Sequence, residues 1–353
     1  MISYFFMKVL ITGGAGFLGL HLATLFCKRK ANITLVDIAP YNKKEYPKGC
    51  SLINGDVRDK KLMDILTKDK DVVIHAAAAL PLWSKKEIFD TNVNGTKNIL
   101  DVSLKNRVKR FIFISSTAVY GIPKRHPIFE TDSIVGVGPY GQSKIEAERV
   151  CQEYRKKGLT VTIIRPKTFI GTHRLGVFEI LYDWIKDGKK IPMIGSGNNR
   201  YQLLEVDDLA EMIYLISITK NIKDINTVFN IGAEKFSTVK EDLQKLFDYA
   251  NSGSKLLPTP AILVKKTLWF FEKLKISPLY QWIYDTADKD SFVSINRVTK
   301  VLKWKPRYSN SQSLIKSFQW YLDNYKEIKL RPSGITHTVG WKQGILGFIK
   351  RFM

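Results

Sequence analysis

The chain carries Ile11-Thr12-Gly13-Gly14-Ala15-Gly16-Phe17-Leu18-Gly19 directly after the strand-like run Lys8-Val9-Leu10, and this stretch opens a helical pattern. Gly13 can take a backbone turn that a Cβ would forbid, Gly16 lets the main chain approach a pyrophosphate, and Gly19 lets the helix pack on the strand. The N-terminus of the helix offers unpaired N–H groups and a partial positive charge to phosphates. The stretch therefore predicts a dinucleotide-binding loop.

An acidic residue stands at the position that such a loop requires. The next apolar run, Ile33-Thr34-Leu35-Val36, ends in Asp37. In dinucleotide-binding folds an acidic residue about 20 residues beyond the glycines binds the adenosine ribose hydroxyls. A carboxylate at this point repels a 2′-phosphate, so Asp37 predicts NAD rather than NADP as the cofactor.

Apolar runs and helical patterns alternate through the first half of the 353 residues. Candidate strands lie at 8–12, 32–37, 51–54, 71–75, 110–115 and 160–165, with helical patterns near 17–30, 58–68, 85–106 and 139–157. This alternation predicts an α/β fold, a Rossmann doubly wound parallel sheet with a smaller C-terminal substrate-binding lobe. We place the NAD-binding domain at 1–165, the substrate-binding lobe at 166–330 and a basic amphipathic tail at 331–353.

Two further strand ends are predicted to meet the cofactor. Asp56 and Val57 follow the third strand, where the adenine would lie. Ala76 and Ala77 follow the fourth strand, and their small side chains let the backbone run under the cofactor.

A tyrosine and a lysine four residues apart carry the predicted chemistry. Tyr140 and Lys144 share one face of a helix. A nearby ammonium favours the phenolate and is expected to lower the tyrosine pKa, so that Tyr140 exchanges a proton with a substrate hydroxyl near neutral pH. Ser115, Ser116 and Thr117 end the preceding strand and supply a hydroxyl that can hold the substrate oxygen.

With these residues in place, the chain resembles the extended short-chain dehydrogenases/reductases of the NAD-dependent epimerase/dehydratase group over about residues 7–325. The matching motifs are Thr12 to Gly19, Asp37, Gly55 to Val57, His75 to Ala77, Asn92 to Thr96, Ser115 to Gly121, Tyr140 to Lys144 and Arg165 to Gly171.

The resemblance assigns roles to several of these residues. It implies Ser116, Tyr140 and Lys144 as the catalytic residues. It also implies cofactor contacts by Phe17, Leu18, Asn92 and Ser115, in addition to those named above. In the implied reaction Tyr140 takes the proton of a secondary alcohol, Ser116 holds the oxygen, and hydride passes to the nicotinamide. An epimerase returns the hydride to the other face, whereas a dehydrogenase releases the ketone.

Departures from the family pattern bear on the substrate. Family 4,6-dehydratases carry Asp-Glu where this chain has Thr117 and Ala118, which disfavours sugar dehydration. Thr168 replaces an asparagine that is usual in nucleotide-sugar epimerases. Their diphosphate-binding arginine falls on Tyr201, with Arg200 adjacent as a substitute. We therefore take Thr168 and Arg200, with Ser84 from a short apolar loop, as candidate substrate contacts.

Two substrate classes and one non-catalytic role stay open. The basic charge suits the diphosphate of a nucleotide sugar, which is the favoured class. The segment 194–208 also resembles the 3β-hydroxysteroid dehydrogenase branch, which would favour a hydrophobic alcohol of steroid or isoprenoid type. Some proteins of this fold bind the dinucleotide without catalysis, but the intact Ser116, Tyr140 and Lys144 argue against that role.

Composition narrows the partners and the compartment. The net charge is +23, yet no nucleic-acid-binding module is recognisable. Cys27, Cys50 and Cys151 have neither disulfide nor metal-site spacing, and the five histidines are scattered, so we expect a cytoplasmic protein without a metal. The resemblance further implies a homodimer formed through the helices near 85–106 and 139–157.

Two basic and apolar stretches lie towards the C-terminus. In the tail, apolar residues recur at helical spacing beside basic ones: Trp341, Ile345, Phe348, Ile349 and Phe352, with Lys342, Lys350 and Arg351. Such a stripe can contact the inner face of a membrane peripherally, or it can dock on the enzyme body or a second subunit. The other stretch, 261–275, is interpreted as a helix of the substrate lobe.

Overall fold

The first strand, β1 (Lys8–Thr12), lies inside the sheet, between two other strands, in the computed structural model, which describes residues 6–81, 83–173, 175–274, 281–331, 333–334, 340–341 and 343–353. The other strands are β2 (Asn32–Asp37), β3 (Ser51–Asn54), β4 (Val72–His75), β5 (Arg110–Ile114), β6 (Val161–Pro166), β7 (Phe169–Ile170), β8 (Ile191–Ile194), β9 (Leu204–Glu205), β10 (Val228–Ile231), β11 (Leu256–Thr259), β12 (Ser333–Gly334) and β13 (Gly340–Trp341).

The helices are α1 (Phe17–Lys28), α2 (Lys60–Thr67), α3 (Lys85–Phe89), α4 (Thr96–Lys105), α5 (Gly138–Lys156), α6 (Phe178–Lys186), α7 (Val206–Ile218), α8 (Ile222–Ile225), α9 (Val239–Ala250), α10 (Ala261–Lys273), α11 (Gln281–Thr286), α12 (Asn296–Leu302), α13 (Asn310–Asp323), α14 (Tyr325–Leu330) and α15 (Ile345–Ile349). A π-helical turn, Asp90–Gly95, joins α3 to α4, and short 3₁₀ turns occupy Lys43–Glu45, Thr117–Tyr120 and Lys350–Phe352.

Seven parallel strands form the main sheet in the order β10-β6-β5-β4-β1-β2-β3. In the centre of the sheet, Ile11 of β1 lies opposite Leu35 of β2 and Ile74 of β4. Six of the strands coincide within one residue with the runs predicted from the sequence, and the α/β doubly wound fold is confirmed. The seventh strand, β10, was not predicted, because its four residues lie where the regular alternation has faded.

Helices cover both faces of the sheet. The core on one face is formed with α1, α7 and α12, and the core on the other face with α2, α4 and α5. Because both faces are covered, the strands are buried nearly throughout, which explains their continuous apolar sequences. The stretch after residue 166 contributes to this unit through α7 and β10, so the division at 165 and 166 stays a prediction from the sequence.

A third core lies in the C-terminal part, where α6, α9 and α13 pack together. The last residues of the tail lie against it: Leu346, Ile349 and Met353 pack on this core, and Lys350 forms ion pairs with Asp183 and Asp187. The structure thus docks this part of the tail on the body of the protein.

The remaining residues of the apolar and basic pattern in the tail are not part of this contact as far as the structure describes them. Phe348 and Phe352 are exposed, and the side chain of Trp341 and the whole of Lys342 lie outside the described residues. Membrane contact by the tail stays a prediction. In the described part of the chain, no helix is both long enough and apolar enough to cross a bilayer.

A buried ion pair joins α5 to the sheet. The Arg165 guanidinium donates to the Glu148 carboxylate at 2.5 and 2.9 Å, and both side chains are almost fully buried. Arg165 also donates to the Tyr120 hydroxyl, which in turn donates to Asn230 of β10. The Ser115 hydroxyl donates to Glu148, so the network reaches the end of β5.

Replacing Glu148 by alanine is expected to destabilise the fold strongly, because Arg165 would keep a buried charge without its partner. Breaking a buried pair in this way costs about 3–5 kcal/mol. Denaturant unfolding of the wild type and the Glu148→Ala variant measures the change.

The matched control is Glu146→Ala on the same helix. Glu146 pairs with Arg149 at the surface, so its removal should cost less than about 1 kcal/mol. Equal destabilisation by the two variants would show that the buried pair has no special structural role.

Candidate active site

The glycine loop is shaped by close approaches on its inner side. Gly13 has a φ of +72°, and a Cβ there would lie 2.7 Å from the Ala77 amide nitrogen. A Cβ on Gly19 would lie 2.4 Å from the Gly13 carbonyl oxygen. Gly13 and Gly19 are therefore required by the packing of β1, β4 and α1, whatever the loop binds.

The start of α1 suits a phosphate group. Gly16 is the N-cap residue and has no side chain to bond the first turn, and that turn contains no acidic residue. The backbone N–H groups of a helix start and its dipole together favour a bound anion. Gly16, Phe17 and Leu18 line a cleft that extends from this loop to the end of β5 and the start of α5, and we call it the dinucleotide cleft. The loop therefore fits the pyrophosphate of a dinucleotide.

Asp37 lies at the end of β2 on the same cleft. Its carboxylate oxygens accept the Ala15 N–H at 3.0 Å and the Ala39 N–H at 2.9 Å. A carboxylate accepts up to about four hydrogen bonds, so these two are compatible with the ribose contact predicted from the sequence.

Asp56 and Val57 follow β3 and also line the cleft. The Arg58 guanidinium donates to the Asp56 carboxylate at 2.6 Å and to Asp90 at 3.1 Å. The bond from Arg58 lowers the pKa of Asp56. The Asp56 charge is therefore balanced within the protein.

The cleft brings together most of the predicted cofactor and catalytic residues. Those that line it are Gly13, Gly16, Phe17, Leu18, Asp37, Asp56, Val57, Ala76, Ala77, Ser115, Tyr140 and Lys144. Three predicted residues contribute from beside it. Gly19 packs behind the loop, Ser116 lies near enough to Tyr140 to lower its pKa, and buried Asn92 hydrogen-bonds Ala79 of the cleft wall.

Asn92 connects the loop after β4 to α5. Its side chain accepts the Ala79 N–H at 2.8 Å and donates to the Ala79 carbonyl at 3.2 Å and to the Ser143 hydroxyl at 3.0 Å. Asn92 therefore positions the loop after β4, which contains Ala76 to Ala79, and it also positions the helix that carries Tyr140.

His75, the last residue of β4, is neutral and holds the start of the loop that follows this strand. Its ring nitrogens bond the Thr12 hydroxyl at 2.6 Å and the Thr96 hydroxyl at 2.9 Å. Burial lowers the pKa of His75 to about 3, so the ring carries no charge at neutral pH. The sequence did not single out these hydroxyl partners, which only the packing of β1, β4 and α4 brings together.

Tyr140 and Lys144 lie one turn apart on α5, as the sequence predicts. The Lys144 ammonium donates to the Ile114 carbonyl at 2.9 Å, and its burial lowers the lysine pKa to about 8. Burial raises the pKa of Tyr140 to about 12, although its hydrogen bond with Ser116 acts in the opposite direction. The expected lowering of the Tyr140 pKa is thus wrong for the protein alone, because burial outweighs the opposing effect of Ser116.

The three predicted substrate residues do not line the dinucleotide cleft. The Thr168 and Tyr201 hydroxyls lie 3.1 Å apart. The Arg200 guanidinium lies against two neighbouring aromatic rings, 4.7 Å from the Phe236 centroid and 4.8 Å from the Phe292 centroid. Exposed Ser84 caps the start of α3. Their substrate roles stay predictions.

Lys167 is a residue that the sequence analysis missed. It directly follows β6, is 3% exposed, and donates to the Ser291 hydroxyl at 2.5 Å. Its ammonium lies 4.7 Å from the centroid of the Tyr201 ring, and burial lowers its pKa to about 7. The Thr117 hydroxyl donates to the Pro166 carbonyl, which places Lys167 close to the loop after β5 that contains Ser116. The sequence feature that could have identified Lys167 is the position of a lysine directly after β6, a strand whose residues are all buried.

The chain is similar in sequence to proteins that are named as sugar epimerases. The chain is 27% identical to a putative UDP-glucose 4-epimerase of Methanocaldococcus jannaschii, over 90% of this chain and 99% of that one. It is 33% identical to the N-acetyl-alpha-D-glucosaminyl-diphospho-ditrans,octacis-undecaprenol 4-epimerase of Escherichia coli O157:H7, over 58% of this chain and 62% of that one.

A solved structure has the same fold. The UDP-glucose 4-epimerase of Thermotoga maritima, crystallised with UDP-glucose, superposes with a TM-score of 0.75 at 23% identity, covering 90% of this chain and 100% of that one. The sequence model of the NAD dependent epimerase/dehydratase family matches residues 9–232. The chain belongs to this family, and it is an NAD-dependent enzyme of the nucleotide-sugar epimerase/dehydratase type.

Proposed function

We propose that the enzyme epimerises a sugar carried on a diphosphate, with a nucleotide sugar as the favoured substrate. The observation that carries the proposal is that Tyr140 and Lys144, one helical turn apart on α5, both line the dinucleotide cleft, with Ser116 near enough to influence the Tyr140 pKa. In this arrangement Tyr140 takes and returns the proton of the sugar hydroxyl. Ser116 donates a hydrogen bond to the same oxygen, and Lys144 contributes positive charge to the cleft.

Bound NAD supplies the hydride acceptor and donor, and its oxidised ring adds a positive charge to the cleft. An added positive charge favours the phenolate, and so opposes the effect of burial on the Tyr140 pKa. The protein alone holds Tyr140 protonated, which agrees with proton transfer only in the loaded enzyme.

The residues next to Ser116 favour epimerisation over dehydration. Elimination of water needs a second acid and base, and family 4,6-dehydratases carry a carboxylate pair just after the active-site hydroxyl. Here those positions hold Thr117, which bonds the Pro166 carbonyl, and buried Ala118.

Lys167 is the proposed partner of the substrate diphosphate. The family's diphosphate-binding arginine falls on Tyr201, and the Lys167 ammonium lies against that tyrosine ring. Arg200, the alternative cation, already lies against the rings of Phe236 and Phe292. A buried ammonium held by a single hydroxyl can bond phosphate oxygens more strongly than a neutral donor.

The proposed reaction predicts interconversion of C4 epimers without net formation of NADH. The enzyme with NAD is incubated with UDP-glucose or UDP-N-acetylglucosamine, and the sugars are followed by NMR while NADH is followed by absorbance. NADH formed in proportion to product would identify a dehydrogenase, and oxidation of a 3β-hydroxysteroid in place of the sugars would identify the other substrate class.

In the same assay the Tyr140→Phe variant should turn over about 10²- to 10⁴-fold more slowly, because it lacks the proton-transfer group. NAD binding, measured by titration, should change little. Tyr154→Phe is the control on the same helix, since that hydroxyl bonds Asp101 away from the cleft, and it should keep its activity. Equal turnover by the Tyr140 and Tyr154 variants would remove Tyr140 from the mechanism.

Replacing Lys167 by methionine is expected to weaken UDP binding about tenfold to hundredfold, the range for loss of a hydrogen bond to a charged group. KM for the nucleotide sugar should rise more than kcat falls, because Lys167 binds the diphosphate and takes no proton from the sugar. Calorimetric titration with UDP and steady-state kinetics measure the two effects.

Arg200→Met is the matched comparison. If Arg200 and not Lys167 binds the diphosphate, as the sequence analysis expects, the arginine variant loses the affinity and the lysine variant keeps it.

Asp37 should determine the choice of NAD over NADP. A carboxylate facing the 2′-phosphate of NADP costs several kcal/mol, so Asp37→Asn should reduce the ratio of the NADP and NAD dissociation constants by about tenfold or more. Fluorescence titration with both dinucleotides measures this ratio.

Asp56→Asn provides the control, because the Asp56 charge is balanced by Arg58 and its loss should leave the ratio nearly unchanged. Tighter binding of NADP than of NAD by the wild type would contradict the assignment.

A further inference from the structure

Helix α10 presents an apolar and basic face to solvent. Five apolar side chains on this face are 50–74% exposed, and two exposed lysines accompany them. The seven residues are Ile262, Leu263, Lys266, Trp269, Phe270, Lys273 and Leu274. Their spacing places them on one side of a helix, and we call this side the outer face of α10.

The opposite side of the helix attaches it to the protein. Leu268 is 5% exposed, and the Lys265 ammonium donates to the Asp288 carboxylate at 2.5 Å and to the Asp285 carbonyl at 3.1 Å. Within the described residues, these contacts hold the helix on the protein from the side opposite its outer face. Leucine, phenylalanine and tryptophan exposed together on one face are typical of a surface that contacts a partner protein, a ligand or a membrane.

We propose that the outer face of α10 docks the enzyme on an anionic lipid surface, with the helix lying in the plane of the interface. Tryptophan and phenylalanine are favoured at the boundary of lipid and water, and lysines beside them contact anionic headgroups. The Lys273 ammonium lies 5.6 Å from the centroid of the Trp269 ring, so charge and aromatic surface are presented together.

Charge complementarity favours a lipid surface over a second copy of the chain. The protein carries a net charge of +23, and Glu272 is the single acidic residue in the sequence 261–274. Two copies meeting through this face would bring Lys266 and Lys273 towards other cationic surfaces, whereas an anionic bilayer attracts them.

This proposal places the membrane contact on α10 and not on the tail. The inner side of the tail is engaged with the body through Ile349 and Lys350. Among the tail residues whose side chains the structure describes, Phe348 and Phe352 are exposed aromatic residues, whereas the outer face of α10 carries five exposed apolar residues. The proposal does not depend on the identity of the sugar substrate.

Flotation of the full-length protein with vesicles tests the proposal. The wild type should float with phosphatidylcholine vesicles that contain phosphatidylglycerol, and much less with phosphatidylcholine alone. The Trp269→Ser/Phe270→Ser variant should lose this binding. The Lys266→Gln/Lys273→Gln variant should bind anionic vesicles about fivefold more weakly for each lysine, since a lysine near an anionic surface contributes about 1 kcal/mol.

The tail variant Phe348→Ser/Phe352→Ser is the matched control, because it also removes two exposed aromatic rings, and it should still float. NAD binding should be the same in all the variants, which shows that each is folded. The lysine variant keeps every apolar contact, so it tests the proposal even where the aromatic variant does not fold.

Three results would overturn the proposal. The wild type would fail to float with anionic vesicles, or the α10 variants would float like the wild type while the tail variant did not. Light scattering could also show that the α10 variants dissociate an oligomer, in which case the outer face is an interface between copies.

Discussion

The ion pair between Glu148 and Arg165 holds the active site together. Tyr140, Lys144 and Glu148 follow one another at intervals of four residues on α5, so the pair that anchors Glu148 to the sheet also sets the depth of the other two. Ser115 donates to the same carboxylate from the end of β5. The buried pair, together with the bond from Asn92 to Ser143, therefore helps to set the position of Tyr140 relative to the cleft.

Burial gives the site its electrostatic character. It raises the pKa of Tyr140 and lowers the pKa values of Lys144, Lys167 and His75. All four shifts disfavour the charged form of a group that lies in or beside the predicted site. Interactions are strong in such surroundings, and the charges of a dinucleotide and a diphosphate then decide the protonation of the groups around them.

Features that depend on local sequence could be predicted, and features that depend on tertiary packing could not. The glycine loop, Asp37 and the Tyr140–Lys144 spacing are local, and the six predicted strands stand in a regular alternation with helical patterns. Strand β10 has no such neighbours in the sequence, and the burial of Lys167 follows from the meeting of β6 with the residues near Ser291. The sequence also predicts a helix at 261–275 correctly, but α10 is apolar on two sides, and periodicity alone does not show which side the protein covers.

Two of the relatives are named for substrates that share one chemical group but differ in the carrier of the sugar. One relative is named for a UDP-sugar and another for a sugar on undecaprenyl diphosphate, so both names describe a sugar on a diphosphate. A cation such as Lys167 would meet this group in either substrate, and it cannot distinguish the carriers. The carrier is distinguished by whatever lies beyond the second phosphate, a soluble nucleoside or a lipid chain. A surface that docks on a bilayer would bring the cleft to the second kind of carrier, and thus the outer face of α10 bears on substrate choice although it lies outside the active site.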